Sequence, residues 1–360
     1  MATEPAIFRI DGVSKSYGGV PALDGVTLAA EANAYVSLLG PSGSGKTTLL
    51  RVIAGFEVPD KGRVYFEGRD ITDLPAHERG IGFVFQNFAL FPHLTVRMNV
   101  AFGMMHGSTS VSAAEIDKRC QAVIDMVGLS GLEDRGVDQI SGGQRQRVAL
   151  ARTLVMQPKL VLLDEPLGAL DANLRGRMRN ELRAIRVRMG VTFLHVTGSE
   201  TEALAMGDTV VVLDRGRIIQ KGTPDEVYST PASPDVAHFL NRFNLFDGLL
   251  IGGMFSGPFG TVPTPRVVRA TQDVYAIRYD RLRVQPISAT VTGPALKATY
   301  VASEYLGSSV MNFFETPDAK VIEVEHHLSL GAPETYEPRQ DYLLTWKPDQ
   351  AIVFGREATQ

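Results

Sequence analysis

Eight residues, Gly40-Pro41-Ser42-Gly43-Ser44-Gly45-Lys46-Thr47, put three glycines, a lysine and a hydroxyl into one short stretch. Glycines let successive backbone N–H groups turn inward around phosphate oxygens. The spacing G-x-x-x-x-G-K-[ST] is that of a loop cradling nucleotide phosphates. Lys46 is expected to reach the β- and γ-phosphates and Thr47 to hold Mg²⁺, with Thr48 next in the same stretch. A second half of such a site lies in Leu160-Val161-Leu162-Leu163-Asp164, four apolar residues ending in a carboxylate. Asp164 is expected to position Mg²⁺, directly or through water. Glu165 follows at once and is placed to orient or deprotonate an attacking water. An acidic pair after a strand is also a common start of a solvated loop; its pairing with the phosphate loop carries the catalytic reading.

The flanking segments read as the elements such a site needs. "YVSLL" (35–39) is an apolar strand running into the loop, and "TTLLRVIAGF" has helical spacing up to Gly55. Ile81–Phe85 reads as a strand, Ser112–Val127 as a helix, and Ser141–Met156 as a second helix closed by Pro158. "LVLLD" has the fully apolar character of a buried parallel strand. "RGRMRNELRAIRVRMG" reads as a basic amphipathic helix, its arginines a solvated face rather than a nucleic-acid patch. "VTFLHVT" and "TVVVLDRG" are further strands. This alternation implies an α/β fold with a parallel sheet. After about Phe239 the helical periods stop, and short alternating segments punctuated by Gly and Pro suggest a small β-barrel or sandwich. The expected division is 1–238 and 239–360, with the boundary near Phe239–Phe246.

Bulk composition narrows the class. Hydrophobic residues make up 44% and charged residues 21%, ordinary for a globular chain. The net charge of −4 argues against bulk nucleic-acid binding. Cys120 is the single cysteine and fits a reducing compartment. The first residues, "MATEPAIFRIDG", carry Glu4 and Asp11 and do not read as a signal peptide. No run of eighteen apolar residues occurs, so a soluble chain is expected, with any membrane role supplied by a partner.

Ile140-Ser141-Gly142-Gly143-Gln144-Arg145-Gln146-Arg147 adds a second anion-binding surface. Ser141 can cap a helix whose first N–H groups two glycines leave bare. The run resembles the signature motif of ABC (ATP-binding cassette) proteins. In that family it closes over ATP held by the phosphate loop of the opposite subunit, so the resemblance implies a head-to-tail dimer. Further residues fall in the family's order. Tyr17 stands where an aromatic ring stacks on adenine, and Gln86 where a glutamine senses metal and water and opens a helical subdomain, about 87–156 here. "NFALFPHLTVRM" (87–98) resembles the surface that docks a transmembrane partner, although Phe88, Phe91 and Leu94 read equally as core. Leu167-Gly168-Ala169-Leu170-Asp171 matches the loop through which two ATPase subunits touch. Met98 departs from the glutamate common in relatives.

The resemblance covers nearly the whole chain and implies a P-loop NTPase core with a RecA-like sheet and helical subdomain, then an OB-like regulatory and dimerisation domain. It is similar to ATPases of importers for polyamines, opines, phosphonates, ferric iron or sugars. ATP, Mg²⁺, transmembrane permease subunits, a solute-binding protein and a place at the cytoplasmic face of the membrane follow as implications. The β-rich tail shows no basic, aromatic-studded face, and no nucleic-acid partner is expected.

One position breaks the pattern. In the family the strand after the last helix ends in Thr-His-Asp, the histidine contacting the γ-phosphate. Here the run is Thr197-Gly198-Ser199. His195 is three residues earlier; if the strand continues through Gly198, the odd offset points His195 to the opposite sheet face. The expectation is near-normal ATP binding with slow hydrolysis at this chain's own loop, since one missing donor costs on the order of 10²–10³ in rate. Either a slow homodimer or a pair with a second ATPase subunit fits. The alternative class is an ATP-dependent regulatory or non-transport protein with little hydrolysis.

Overall fold

The computed structural model describes residues 6–107, 111–168, 170–240, 242–264, 266–332 and 334–356. Two units separate, Met1–Tyr228 and Ser229–Gln360.

The first unit is built on strands whose apolar runs are buried on both faces. β1 (Phe8–Tyr17) and β2 (Val20–Ala30) form an antiparallel hairpin, extended by β4 (Lys61–Phe66) and β5 (Arg69–Asp70) into a sheet of order β2-β1-β4-β5. β3 (Tyr35–Leu39), β6 (Gly82–Val84), β7 (Leu160–Asp164), β8 (Thr192–Thr197), β9 (Thr209–Asp214) and β10 (Arg217–Gly222) form the central sheet, of order β10-β9-β3-β8-β7-β6. Its pairings are parallel except β10 with β9. Every residue of β3, β7 and β8 is buried, as parallel strands covered on both faces require.

Helices cover the two faces. α1 (Lys46–Ala54) buries Leu49, Leu50, Val52 and Ile53 among β-strand side chains such as Leu38, Leu162, Leu194 and Val196. α2 (Val96–His106), α3 (Ala113–Met126), α4 (Gly142–Leu154) and α5 (Ala172–Met189) share the other core with Tyr35, Val161, Leu163 and Phe193. α6 (Glu200–Met206) follows β8 and buries Ala203 and Met206. α3 and α4 start at the serines expected, Ser112 and Ser141. α2 was not legible as a helix, because apolar residues ring it: Val96, Val100 and Met104 point inward while Met98 and Met105 are exposed.

The second unit is β-rich and carries its own core, in which Phe246, Phe255, Tyr275, Phe314 and Trp346 are buried. Five strands order as Arg283–Pro286, Asp341–Thr345, Ala295–Tyr305, Ser309–Glu315 and Val321–His327, beside sheets of four and three strands. Trp346 Nε1 donates to the Tyr275 hydroxyl at 2.8 Å, giving the buried indole its partner. The units meet at Tyr228/Ser229 rather than at 238/239. The helix Pro234–Phe239 has the texture of the first unit, yet its Ala237 packs with Phe243, Val274 and Phe354 of the second. Among the described residues no helix is long and apolar enough to cross a membrane.

Candidate active site

Three adjacent parallel strands bring the chemistry together. β8 lies between β3 and β7, with Leu39 opposite Thr197 and Asp164 opposite Val196. The residues just past each strand end, Gly40, Glu165 and Gly198, therefore open onto one crevice at the carboxyl edge of the sheet, where open α/β sheets bind ligands.

The phosphate loop runs from Gly40 through Pro41, Ser42, Gly43 and Ser44 to Gly45, and α1 starts at Lys46. Gly45 is the N-cap at φ 103°, a left-handed conformation, and supplies no side-chain cap. The first N–H groups of α1, including those of Thr47 and Thr48, are left to an anion at the positive end of the helix dipole. Lys46 Nζ donates to the carbonyls of Gly40 and Pro41, each at 2.8 Å, and so lies curled over the loop. Burial lowers its pKa, against the opposing pull of Glu165 and Asp164. The Thr47 hydroxyl donates to Asp164 Oδ1 at 3.2 Å. Asp164 is 8% exposed, and burial pushes its carboxyl above the ordinary range, opposed by the Thr47 bond and aided by Glu165. A hydroxyl and a buried carboxylate side by side at a phosphate loop form a hard-oxygen donor set suited to Mg²⁺.

Glu165 is half-buried and its backbone sits at φ 45°, a strained value for a residue with a Cβ. Its N–H is tied to Val196 O at 3.0 Å, so the strain is held by β8. Oε2 accepts from Gln86 Nε2 at 2.8 Å, which brings the two catalytic candidates into direct contact. Tyr17, at the end of β1, is 44% exposed, with the Lys15 ammonium over its ring, 5.6 Å from the centroid.

The signature residues sit at the start of α4. Ser141 Oγ accepts from Gln144 N at 3.3 Å, and Gln144 Oε1 accepts from Ser141 N at 2.8 Å, a reciprocal capping box. The two glycines differ in purpose. A Cβ at Gly142 would meet nothing within 4 Å, whereas one at Gly143 would collide with the side chain of Leu174 on α5. Gly143 is thus also a packing requirement, which the sequence did not disclose. Asp171 caps α5 by accepting from Leu174 N at 2.9 Å. Ala169 of the same loop lies outside the described residues.

Gly198 has open space where a side chain would project: a Cβ there meets nothing within 4 Å. His195 does not reach that space. It is fully buried on β8, edge-on to Tyr35 at 5.9 Å, and burial pushes its pKa down to about 3.

Sequence reasoning missed two residues that shape the 87–98 segment. Asn99 is fully buried on α2, accepts from Phe91 N, and donates to the carbonyls of Phe91, Leu94 and Thr95. Arg152, in the last turn of α4, donates to Phe88 O and Ala89 O at 2.9 and 2.7 Å. A lone Asn inside an apolar helical run was the available signal. Phe88 packs against the helical core, while Phe91 lines a cleft of about 510 Å³ with Phe83, Phe85, Phe102, Arg152 and Met156.

The family described as ABC transporter matches residues 23–168, and the family described as TOBE domain matches 275–354. The sulfate/thiosulfate import ATP-binding protein CysA of Caulobacter vibrioides is 47% identical over 273 residues, 75% of this chain and 80% of that protein. The chain belongs to the ABC transporter family. The spermidine/putrescine import ATP-binding protein PotA of Clostridioides difficile is 48% identical over 245 residues, 68% of this chain and 70% of that protein. Among solved structures, a dimeric ATP-binding cassette in a post-hydrolysis state with ADP and Pi matches at TM-score 0.55. It is 32% identical and covers 60% of this chain and 98% of its own. This ABC chain is accordingly an ATP-binding ATPase cassette of the importer type, followed by an OB-like TOBE domain.

Proposed function

We propose that the chain is the energy-coupling ATPase of a small-solute importer, and that it binds Mg-ATP well but hydrolyses it slowly on its own phosphate loop. The observation behind the slow rate is Gly198: the crevice around it holds Glu165, Gln86, Thr47 and Asp164, yet no side chain at this position donates to a γ-phosphate. Thr47 and Asp164 would hold Mg²⁺, which neutralises charge on phosphate oxygens. Lys46 leaves the carbonyls of Gly40 and Pro41 to meet the β- and γ-phosphates. Glu165, steadied by Gln86, takes a proton from the attacking water. Tyr17 stacks on the adenine.

The coupling partner is a transmembrane permease. The aromatic cleft beside Phe91, with Arg152 at its wall, suits the docking of a short apolar helix from such a subunit. A peripheral position at the cytoplasmic membrane face, a solute-binding protein and an ATPase dimer built through Ser141–Gln144 and Asp171 complete the reading. The transported solute is a polyamine, sugar, opine or similar small molecule. The dimer is either a slow homodimer or a pair in which this chain lends its intact signature to a faster subunit; counting subunits of the native complex by mass separates the two.

Gly198→His tests the central claim. A Cβ at Gly198 meets nothing within 4 Å. Wild-type protein is expected to bind ATP about as tightly as the variant and to hydrolyse it on the order of 10²–10³ more slowly. A fast wild-type rate, unchanged by the substitution, overturns the proposal.

A further inference from the structure

Beneath Gly198 the sheet carries a run of buried polar side chains. Ser37 on β3 lies opposite His195 on β8, and Leu39 opposite Thr197, so Ser37, His195 and Thr197 share one face. Glu202 of α6 comes down on that face with 6% exposure. The Thr197 hydroxyl donates to Glu202 Oε2 at 2.8 Å and accepts from Ser199 N at 3.0 Å. Ser199 Oγ in turn accepts from Glu202 N at 3.3 Å. These three bonds close a ring around Gly198, the one residue of the turn without a side chain.

His195 stands behind the ring. Its Nε2 is 4.0 Å from the same Glu202 Oε2, and neither ring nitrogen has a hydrogen-bond partner. Ser37 Oγ is also unpartnered. Burial keeps the imidazole neutral, so it faces the carboxylate as an uncharged donor rather than as half of an ion pair. A shift on the order of 1 Å completes that bond. Unpartnered buried polar atoms destabilise a fold, and a phenylalanine would fill the same volume without them. Local rules of polar satisfaction are broken chiefly at functional or strained sites.

We infer that Glu202 and His195 are positioning residues for ATP hydrolysis: Glu202, through Thr197, holds the backbone that presents Gly198 to the γ-phosphate, and His195 backs the carboxylate. Glycine permits a wide range of φ and ψ, so the direction of this turn depends on its flanking anchors. The inference rests on the ATPase activity of the cassette and not on the slow rate proposed above. A fast wild-type rate would remove that proposal and leave the following comparison intact.

The test uses the full chain and single-turnover phosphate release, which reads slow and fast hydrolysis alike, with KM, ATP affinity and melting temperature measured alongside. Thr197→Val removes the relay hydroxyl and Thr197→Ser retains it. His195→Phe removes the backing donor. Thr197→Val is expected to lower kcat about ten- to a hundredfold, the scale of a misplaced catalytic group. KM and ATP affinity should change less than about threefold, because the phosphate loop is untouched. Thr197→Ser should restore most of the rate. His195→Phe should melt no lower than wild type and still lose kcat severalfold. The double variant should be no slower than Thr197→Val, since both act through Glu202. Wild-type kcat in either folded single variant, or a kcat loss that tracks KM or melting temperature, overturns the inference.

Discussion

Gln86 Nε2 donates to Glu165 Oε2 at 2.8 Å, joining the segment just past β6 to the residue after β7. The bond fixes a carboxylate whose own backbone is strained at φ 45°. Glu165→Gln keeps the shape and removes the base. Phosphate release should fall by about 10²–10⁴, with ATP affinity retained. Gln86→Ala should cost less, and the double variant should match Glu165→Gln alone, because the amide acts through the carboxylate. Multiplied losses in the double variant would show that Gln86 acts independently.

Asp164 yields a pH prediction. Burial raises its folded pKa, so the folded state binds the proton more tightly than the unfolded chain does. Its favourable contribution is present below the unfolded value and lost as pH rises through the folded one. Asp164→Asn should therefore raise the melting temperature of nucleotide-free protein at neutral pH, by roughly 2–4 °C per kcal/mol gained. The gain should shrink as pH falls through the carboxylate range. The same substitution should abolish Mg²⁺-dependent hydrolysis. A lower melting temperature at neutral pH would contradict the assignment of burial as the dominant influence.

The two signature glycines should separate in urea unfolding. Gly143→Ala forces α4 away from Leu174 and should cost about 1–3 kcal/mol. Gly142→Ala enters open space and should leave stability within about 0.5 kcal/mol, as for surface changes. Any loss of activity in Gly142→Ala then reports on the surface offered to a second subunit.

Asn99 and Arg152 hold the 87–98 segment from two sides. Asn99→Ala leaves buried carbonyls without donors and should cost about 1–3 kcal/mol. Arg152→Ala releases the carbonyls of Phe88 and Ala89. It is expected to leave ATPase activity of the isolated chain near wild type while weakening stimulation by the permease. Equal loss in both assays would place Arg152 in the catalytic cassette rather than in docking.

Much of this molecule was readable in advance because its signals are local. A phosphate loop is a short run whose backbone must turn inward, so its glycines and lysine sit at fixed spacing after an apolar strand. β3, β7 and β8 have continuous apolar runs because both faces are covered. Ser112 and Ser141 announce helix starts because a capping side chain reaches only two or three residues ahead. α2 was hidden because its apolar residues face two environments, and the unit boundary was misplaced because Pro234–Phe239 is helical in pattern but buries itself in the second core.

The sequence by itself determined the nucleotide chemistry, the strand-helix order, and the absence of a donor side chain at Gly198. Tertiary structure alone decided the contacts between distant segments: Gln86 with Glu165, Gly143 under Leu174, Arg152 on the Phe88 carbonyl, and Glu202 beneath Thr197. Spacing reports what one element can do. Which side chains meet depends on how strands order in the sheet and how helices cross it, and that is settled by packing of the whole core.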